Sequence, residues 1–158
     1  MSAPVALPRK PRSSNATRVP NSETPGKAKP ANKTAAATPR VLDSSCWLEF
    51  FADSDRADLF AEAIEHADHL VVPVITVYEV AKKLSRERSD DIAAAAVSLM
   101  QRGHVVAVDL PLALEAAVNG LPLADSLIYA TARHHVAELW TQDGHFEGLP
   151  GVRYFPKP

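Results

Sequence analysis

The 158-residue chain sets 17 Lys and Arg against 19 Asp and Glu and is 46% apolar, enough for one buried core. Its net charge of −2 hides a split: residues 1–40 hold eight bases, one acid (Glu23) and seven of the 13 prolines, or +7, which leaves −9 on the rest. No run approaches the roughly 18 apolar residues of a membrane span, and the lone Cys46 excludes an internal disulfide and a cysteine-rich metal knot, so a reducing cytoplasm is the expected location.

The segment 1–40 has no aromatic residue and almost no large aliphatic one. It cannot bury enough apolar surface to offset its ordering entropy, and it reads as a disordered, basic, Pro-rich arm. A solvated tail is the expected role, with non-specific attraction to nucleic acid as the alternative. Translation starting at Val41 would leave the arm out of the natural product.

From Val41 onward the periodicities alternate between strand and helix, which predicts a three-layer α/β/α domain over residues 41–158 with a mostly parallel central sheet. Val41 and Leu42 form a short strand and Ser44 to Ala52 a helix. A second helix runs from about Asp55 to His66 behind the capping candidate Ser54. "HLVVPVI" reads as a buried strand interrupted by Pro73, and Thr76 opens the helix "TVYEVAKKLSRE". Ser89 opens the next helix, "HVVAV" (104–108) is the third strand, and helices follow from Pro111 and Pro122. "AELW" is the fourth strand and "VRYF" an edge strand.

Open parallel sheets bind ligands beyond the carboxyl ends of their strands. The acids there are Asp43, Glu79, Asp109, Asp125 and Asp143. Each has an ordinary role available. Asp43 can cap the helix at Ser44, and Thr76 with Glu79 spells a capping box, with Lys83 also in reach of Glu79 at i+4. Asp125 suits the positive end of its helix, and Asp143-Gly144 is a common turn pair. Collected on one sheet edge, however, such carboxylates repel by roughly a few kcal/mol per pair, so the cluster calls for a cation. With no convergent set of His or Cys, that cation is Mg²⁺ or Mn²⁺ rather than zinc. His134 and His135 diverge on a helix, and His66 and His69 straddle a helix end; His145, near Asp143, is explained by a turn or by substrate contact.

"VLDSSCWLEFFADS", "PVITVYEVAKKL", "LPLADSLIYATAR" and "LWTQDGHFEGLPGV", in this order and spacing, resemble a PIN-domain ribonuclease of the VapC type, the toxin of a type II toxin–antitoxin pair. The resemblance spans Val41 to about Phe155. It implies a divalent-metal-dependent endoribonuclease whose acids map to Asp43, Glu79, Asp125 and Asp143, with Thr141 as the assisting hydroxyl and Ser44 beside the first acid. It selects Asp125 over Asp109, although Asp109 more directly follows "HVVAV". Attack of water on phosphorus, aided by the ion, needs no protein nucleophile. A homodimer and a cognate antitoxin are implied as partners; Trp47, Phe50 and Phe51 offer a docking face, core burial accounts as well for Trp47 and Phe51, at least one of which is expected in the core, and Glu49 is expected to point outward. Lys82, Lys83, Arg86, Arg88 and Arg133 are the local bases available for RNA, or else ordinary solvated helix faces.

Two other readings compete. A receiver-type phosphoacceptor would want adjacent acids after the first strand and a lysine after the last, and "VLDSS" and "LWTQDG" supply neither. A catalytically silent PIN module used only for binding would be expected to have lost part of the quartet.

Overall fold

The computed structural model describes residues 37–158, which form one compact unit; the arm up to Ala36 lies outside the described residues. The elements in chain order are β1 (Arg40–Leu42), α1 (Ser44–Phe51), α2 (Asp58–Glu65), β2 (Val71–Pro73), α3 (Val74–Glu87), α4 (Asp90–Met100), β3 (His104–Val106), α5 (Leu110–Ala117), α6 (Leu123–His134), β4 (Glu138–Thr141) and β5 (Val152–Tyr154). Arg40, assigned to the arm by composition, is the first residue of β1, and Pro39 accepts a hydrogen bond from Glu138 N at 2.9 Å.

Every strand pairing is parallel. β4 lies between β1 and β5, β2 pairs with β3, and a bridge between Arg40 and Leu70 brings the two groups together in the order β3-β2-β1-β4-β5. Successive strand residues point to opposite faces, and here both faces are covered. Leu42, Val72 and Trp140 join Trp47, Phe60, Ile64, Val80 and Met100 in one apolar layer under α1 to α4. Their neighbours Val41, Val71 and Leu139 join Ile128, Ala132 and Phe146 in a second layer under α6. Full burial of each large side chain contributes about 1.5–3 kcal/mol, so these two layers hold the sheet edge in place.

Several boundaries differ from the sequence reading, each for a local reason. β2 stops at Pro73, which has no N–H to continue a ladder and instead precedes α3 in an extended conformation (φ −60°, ψ 134°). Thr76 is therefore inside the first turn of α3, fully buried, and forms no capping box with Glu79. Lys83 pairs with Glu87 at 2.9 Å rather than with Glu79. α2 starts at Asp58, because the Ser54 hydroxyl is bonded to Glu49 and accepts from Arg56 N at 3.2 Å instead of capping. β3 ends at Val106, and Asp109 caps α5 by accepting from Leu112 N at 3.0 Å.

Candidate active site

The chain passes from β1 to β2 on one side and from β3 to β4 on the other, so the connections diverge between β1 and β4. A crevice opens at the carboxyl ends of two such strands. Asp43 immediately follows β1, while Thr141 ends β4 and Asp143 comes two residues later.

Asp43 is buried (4% exposed) and caps α1: its Oδ1 accepts from Ser44 N at 2.7 Å. Its Oδ2 accepts from the Ser45 hydroxyl and the Thr141 hydroxyl, both at 2.9 Å. Ser44 and Ser45 both supply hydroxyls to this capping residue. Burial pushes the Asp43 carboxyl above the ordinary carboxylate range, against the pull of these donors.

Glu79 has lost both of its ordinary roles, since neither the Thr76 box nor the Lys83 pair forms. It is half-buried on α3 with a raised pKa. Desolvation is the main cause, the Ser44 hydroxyl partly offsets it, and the charges of Asp43, Asp125 and Asp143 add to it. Asp125, in the first turn of α6, is raised mainly by desolvation and then by Asp143 and Asp43. Asp143 Oδ1 accepts from His145 N at 2.9 Å, closing a turn that carries the imidazole back over the acids. His145 Nδ1 lies 3.0 Å from Asp125 Oδ2 and 3.2 Å from Asp143 Oδ1. Among the described residues no Lys or Arg pairs with any of the four acids. One ligand atom from each of Asp125, Asp143 and His145 lies within 4.8 Å of the others, and Asp43 and Glu79 are near enough that neighbouring acid charges push their carboxyls further up, a donor set that suits a divalent cation.

Behind the acids sits a second tier of contacts that motif reading did not find. Gln142, only 5% exposed, accepts from Arg56 Nε at 2.7 Å and reaches Glu49 and the Ser45 carbonyl through its amide nitrogen. Arg56 also donates to the Phe155 carbonyl at 3.1 Å. Glu49, expected to face outward, is held by Ser54 and Gln142, which lower its pKa together with Lys157 and Arg56. No local motif joins Arg56 to Gln142, 86 positions away, so only the folded chain reveals the tie.

The family profile for the PIN domain matches residues 40–152. Ribonuclease VapC22 of Mycobacterium tuberculosis is 36% identical over 112 residues, covering 65% of this chain and 85% of the relative. The chain belongs to the PIN-domain family and is of VapC type. Among solved structures, a toxin–antitoxin complex from Klebsiella pneumoniae superposes with a TM-score of 0.64 at 22% identity, covering 75% of this chain and 99% of its counterpart. Mycobacterium tuberculosis VapC20, described as a sarcin-ricin loop cleaving toxin, gives 0.57 at 18% identity over 70% and 94% of the two chains. DNA-bound VapBC from Salmonella typhimurium gives 0.56 at 17% identity over 75% and 98%. At these identities the likeness is one of fold.

Within this PIN domain, Ser44, Glu79, Lys82, Lys83 and Arg86 line one groove of about 320 Å³ together with Leu48 and Tyr78. Arg133 is elsewhere. It is in the last turn of α6 and lines a separate groove with Thr38 and Glu138, at the amino ends of β1 and β4. Of the aromatic residues, Trp47 is the core member at 1% exposure, stacked on Phe51, while Phe50 and Phe51 are partly exposed.

Proposed function

We propose that this protein is an endoribonuclease that hydrolyses RNA phosphodiester bonds with the help of Mg²⁺ or Mn²⁺, and that it is the toxin of a toxin–antitoxin pair acting in the cytoplasm. The observation that supports the reading is the grouping of Asp125, Asp143 and His145, whose ligand atoms lie within 4.8 Å of one another, with the buried Asp43 and half-buried Glu79 within reach of their charge. The relationship to Ribonuclease VapC22 supports the same activity. Catalysis resides in the unit Ala37–Pro158.

Asp43, Glu79, Asp125 and Asp143 would hold the ion, which when bound neutralises phosphate charge and makes water a better nucleophile. The chain's own residues prepare that site. Ser44, Ser45 and Thr141 fix the Asp43 carboxylate in one orientation. The Asp143 turn positions its carboxylate and His145 together. Lys82, Lys83 and Arg86, on the helix that bears Glu79, would hold flanking phosphates in the groove beside it. No side chain is required to bond to phosphorus, because water is the nucleophile.

The antitoxin partner is supported by the assembly of the Klebsiella and Salmonella relatives with theirs. A homodimer is supported by α5 and its C-cap, which expose Leu110, Leu114 and Val118 at i, i+4 and i+8. Retention of all four acids disfavours a silent binding module. The test is incubation of the purified protein with total RNA and Mn²⁺ or Mg²⁺, with Asp43→Asn and chelator controls. Cleavage that disappears in both controls is expected; intact RNA, or cleavage that survives Asp43→Asn, would overturn the reading.

A further inference from the structure

The four acids leave one chemical feature of the crevice unexplained: an imidazole sits directly against two of them. We infer that His145 is itself a ligand of the cation site, and that it biases the site toward a first-row transition ion such as Mn²⁺ over Mg²⁺. This rests on the proposed cation-dependent reading and deepens it.

The geometry favours the inference. One ligand atom from each of Asp125, Asp143 and His145 lies within 4.8 Å of the others. Around an octahedral ion with bonds of about 2.1 Å, adjacent ligand atoms are about 3.0 Å apart and opposite ones about 4.2 Å. Nδ1 of His145 is 3.0 Å from Asp125 Oδ2 and 3.2 Å from Asp143 Oδ1, which are the separations of adjacent ligands. The backbone that carries the ring is held in place. His145 N is bonded to Asp143 Oδ1 at 2.9 Å, and Phe146, fully buried in the layer under α6, anchors the residue that follows.

The selectivity follows from donor chemistry. Mg²⁺ takes oxygen ligands and gives up its waters reluctantly, so exchanging a water for an imidazole nitrogen gains it little. Transition ions bind nitrogen donors more strongly, in an order in which Mn²⁺ is the weakest member. A carboxylate quartet alone would discriminate little between the two ions. The same quartet with one imidazole shifts the preference, and Co²⁺ should bind more tightly still.

The experiment measures binding rather than turnover. Mn²⁺ affinity is followed by electron paramagnetic resonance and Mg²⁺ affinity by calorimetry, on the full chain and on His145→Ala and His145→Asn variants whose folding is checked by circular dichroism. Electron spin-echo spectroscopy of the Mn²⁺ complex should show nitrogen modulation from a directly bound imidazole in the parent protein and none in either variant. Loss of the ring should weaken Mn²⁺ about tenfold or more and leave Mg²⁺ nearly unchanged. Absence of imidazole modulation in the parent, or equal losses for both ions, would sink the His145 assignment while leaving the acid site standing. Uptake of neither ion by the parent would overturn both the assignment and the cation-dependent reading beneath it.

Discussion

The Thr141 hydroxyl donates to Asp43 Oδ2 at 2.9 Å, and both residues are buried where β4 lies against β1. The same oxygen accepts from Asp143 N at 2.9 Å, so one hydroxyl sets the position of two acids that are 100 residues apart. Thr141→Val keeps the volume and removes both bonds. It should destabilise the protein by about 1–3 kcal/mol in urea denaturation, the usual cost of leaving a buried polar group unpaired, and reduce RNA cleavage severely. Thr141→Ser should recover most of both. A Val variant with parental cleavage would show that the hydroxyl does not organise the site.

The pH dependence of stability follows from the crowded acids. Asp43, Glu79 and Asp125 all have folded pKa values above their ordinary ones, with burial as the leading cause. Between the ordinary and the raised values the native protein binds more protons than the unfolded chain, so its stability falls as pH rises through that window and is regained on mild acidification. His135 works in the opposite direction, because burial lowers its pKa and makes protonation favour unfolding. The comparison that isolates the acids is therefore parent against Asp43→Asn, both metal-free. The parent's urea midpoint should rise more than the variant's as pH is lowered from neutral toward the ordinary carboxylate range. Parallel pH profiles without metal would contradict the assignment of strain to Asp43.

Asp109 and Asp125 offer a direct contrast between a cap and a site residue. Asp109 accepts from Leu112 N at 3.0 Å and starts α5. Asp109→Ala should therefore cost about 1 kcal/mol of stability, as loss of a helix cap does, and leave most of the cleavage intact. Asp125→Asn should abolish cleavage with little effect on folding. If Asp109→Ala were the inactive variant, the third acid would have been misassigned.

How far the sequence carries the structure depends on how local the signal is. Val41, Leu42, Val71, Val72, Leu139 and Trp140 announce doubly covered strands because each is apolar on both faces, and the parallel sheet follows from the helices between them. Asp43 as a cap and Asp125 in a helix's first turn were readable for the same reason. Glu79 was harder. Thr76-x-x-Glu79 matches a capping box, and only the extended conformation of Pro73, which moves the helix start to Val74, removes that role. Illegible altogether were the contacts made across the fold, such as Arg56 with Gln142 and His145 with Asp125, because chain separation leaves no period or spacing to detect.

The last prediction concerns the groove beside Glu79. Lys82, Lys83 and Arg86 follow Glu79 at i+3, i+4 and i+7, so all four share one side of α3, and all four line the same groove. Their present partners are weak competitors. Lys82 Nζ donates to the exposed Tyr78 hydroxyl at 3.0 Å, and Lys83 forms an exposed pair with Glu87 at 2.9 Å, of a kind worth about 0.3–0.5 kcal/mol. Phosphates of single-stranded RNA should displace these contacts and release counterions, each contact adding about 0.7 to the slope of log affinity against log salt. Replacing all three bases with Ala should thus lower that slope by about two. Arg133→Ala should leave it unchanged, because that residue is at the amino ends of the strands. Fluorescence anisotropy with a labelled RNA and the cleavage-deficient Asp43→Asn background gives both slopes directly. A slope unaffected by the triple change, or one that drops with Arg133→Ala instead, would move the RNA path to the other edge of the sheet.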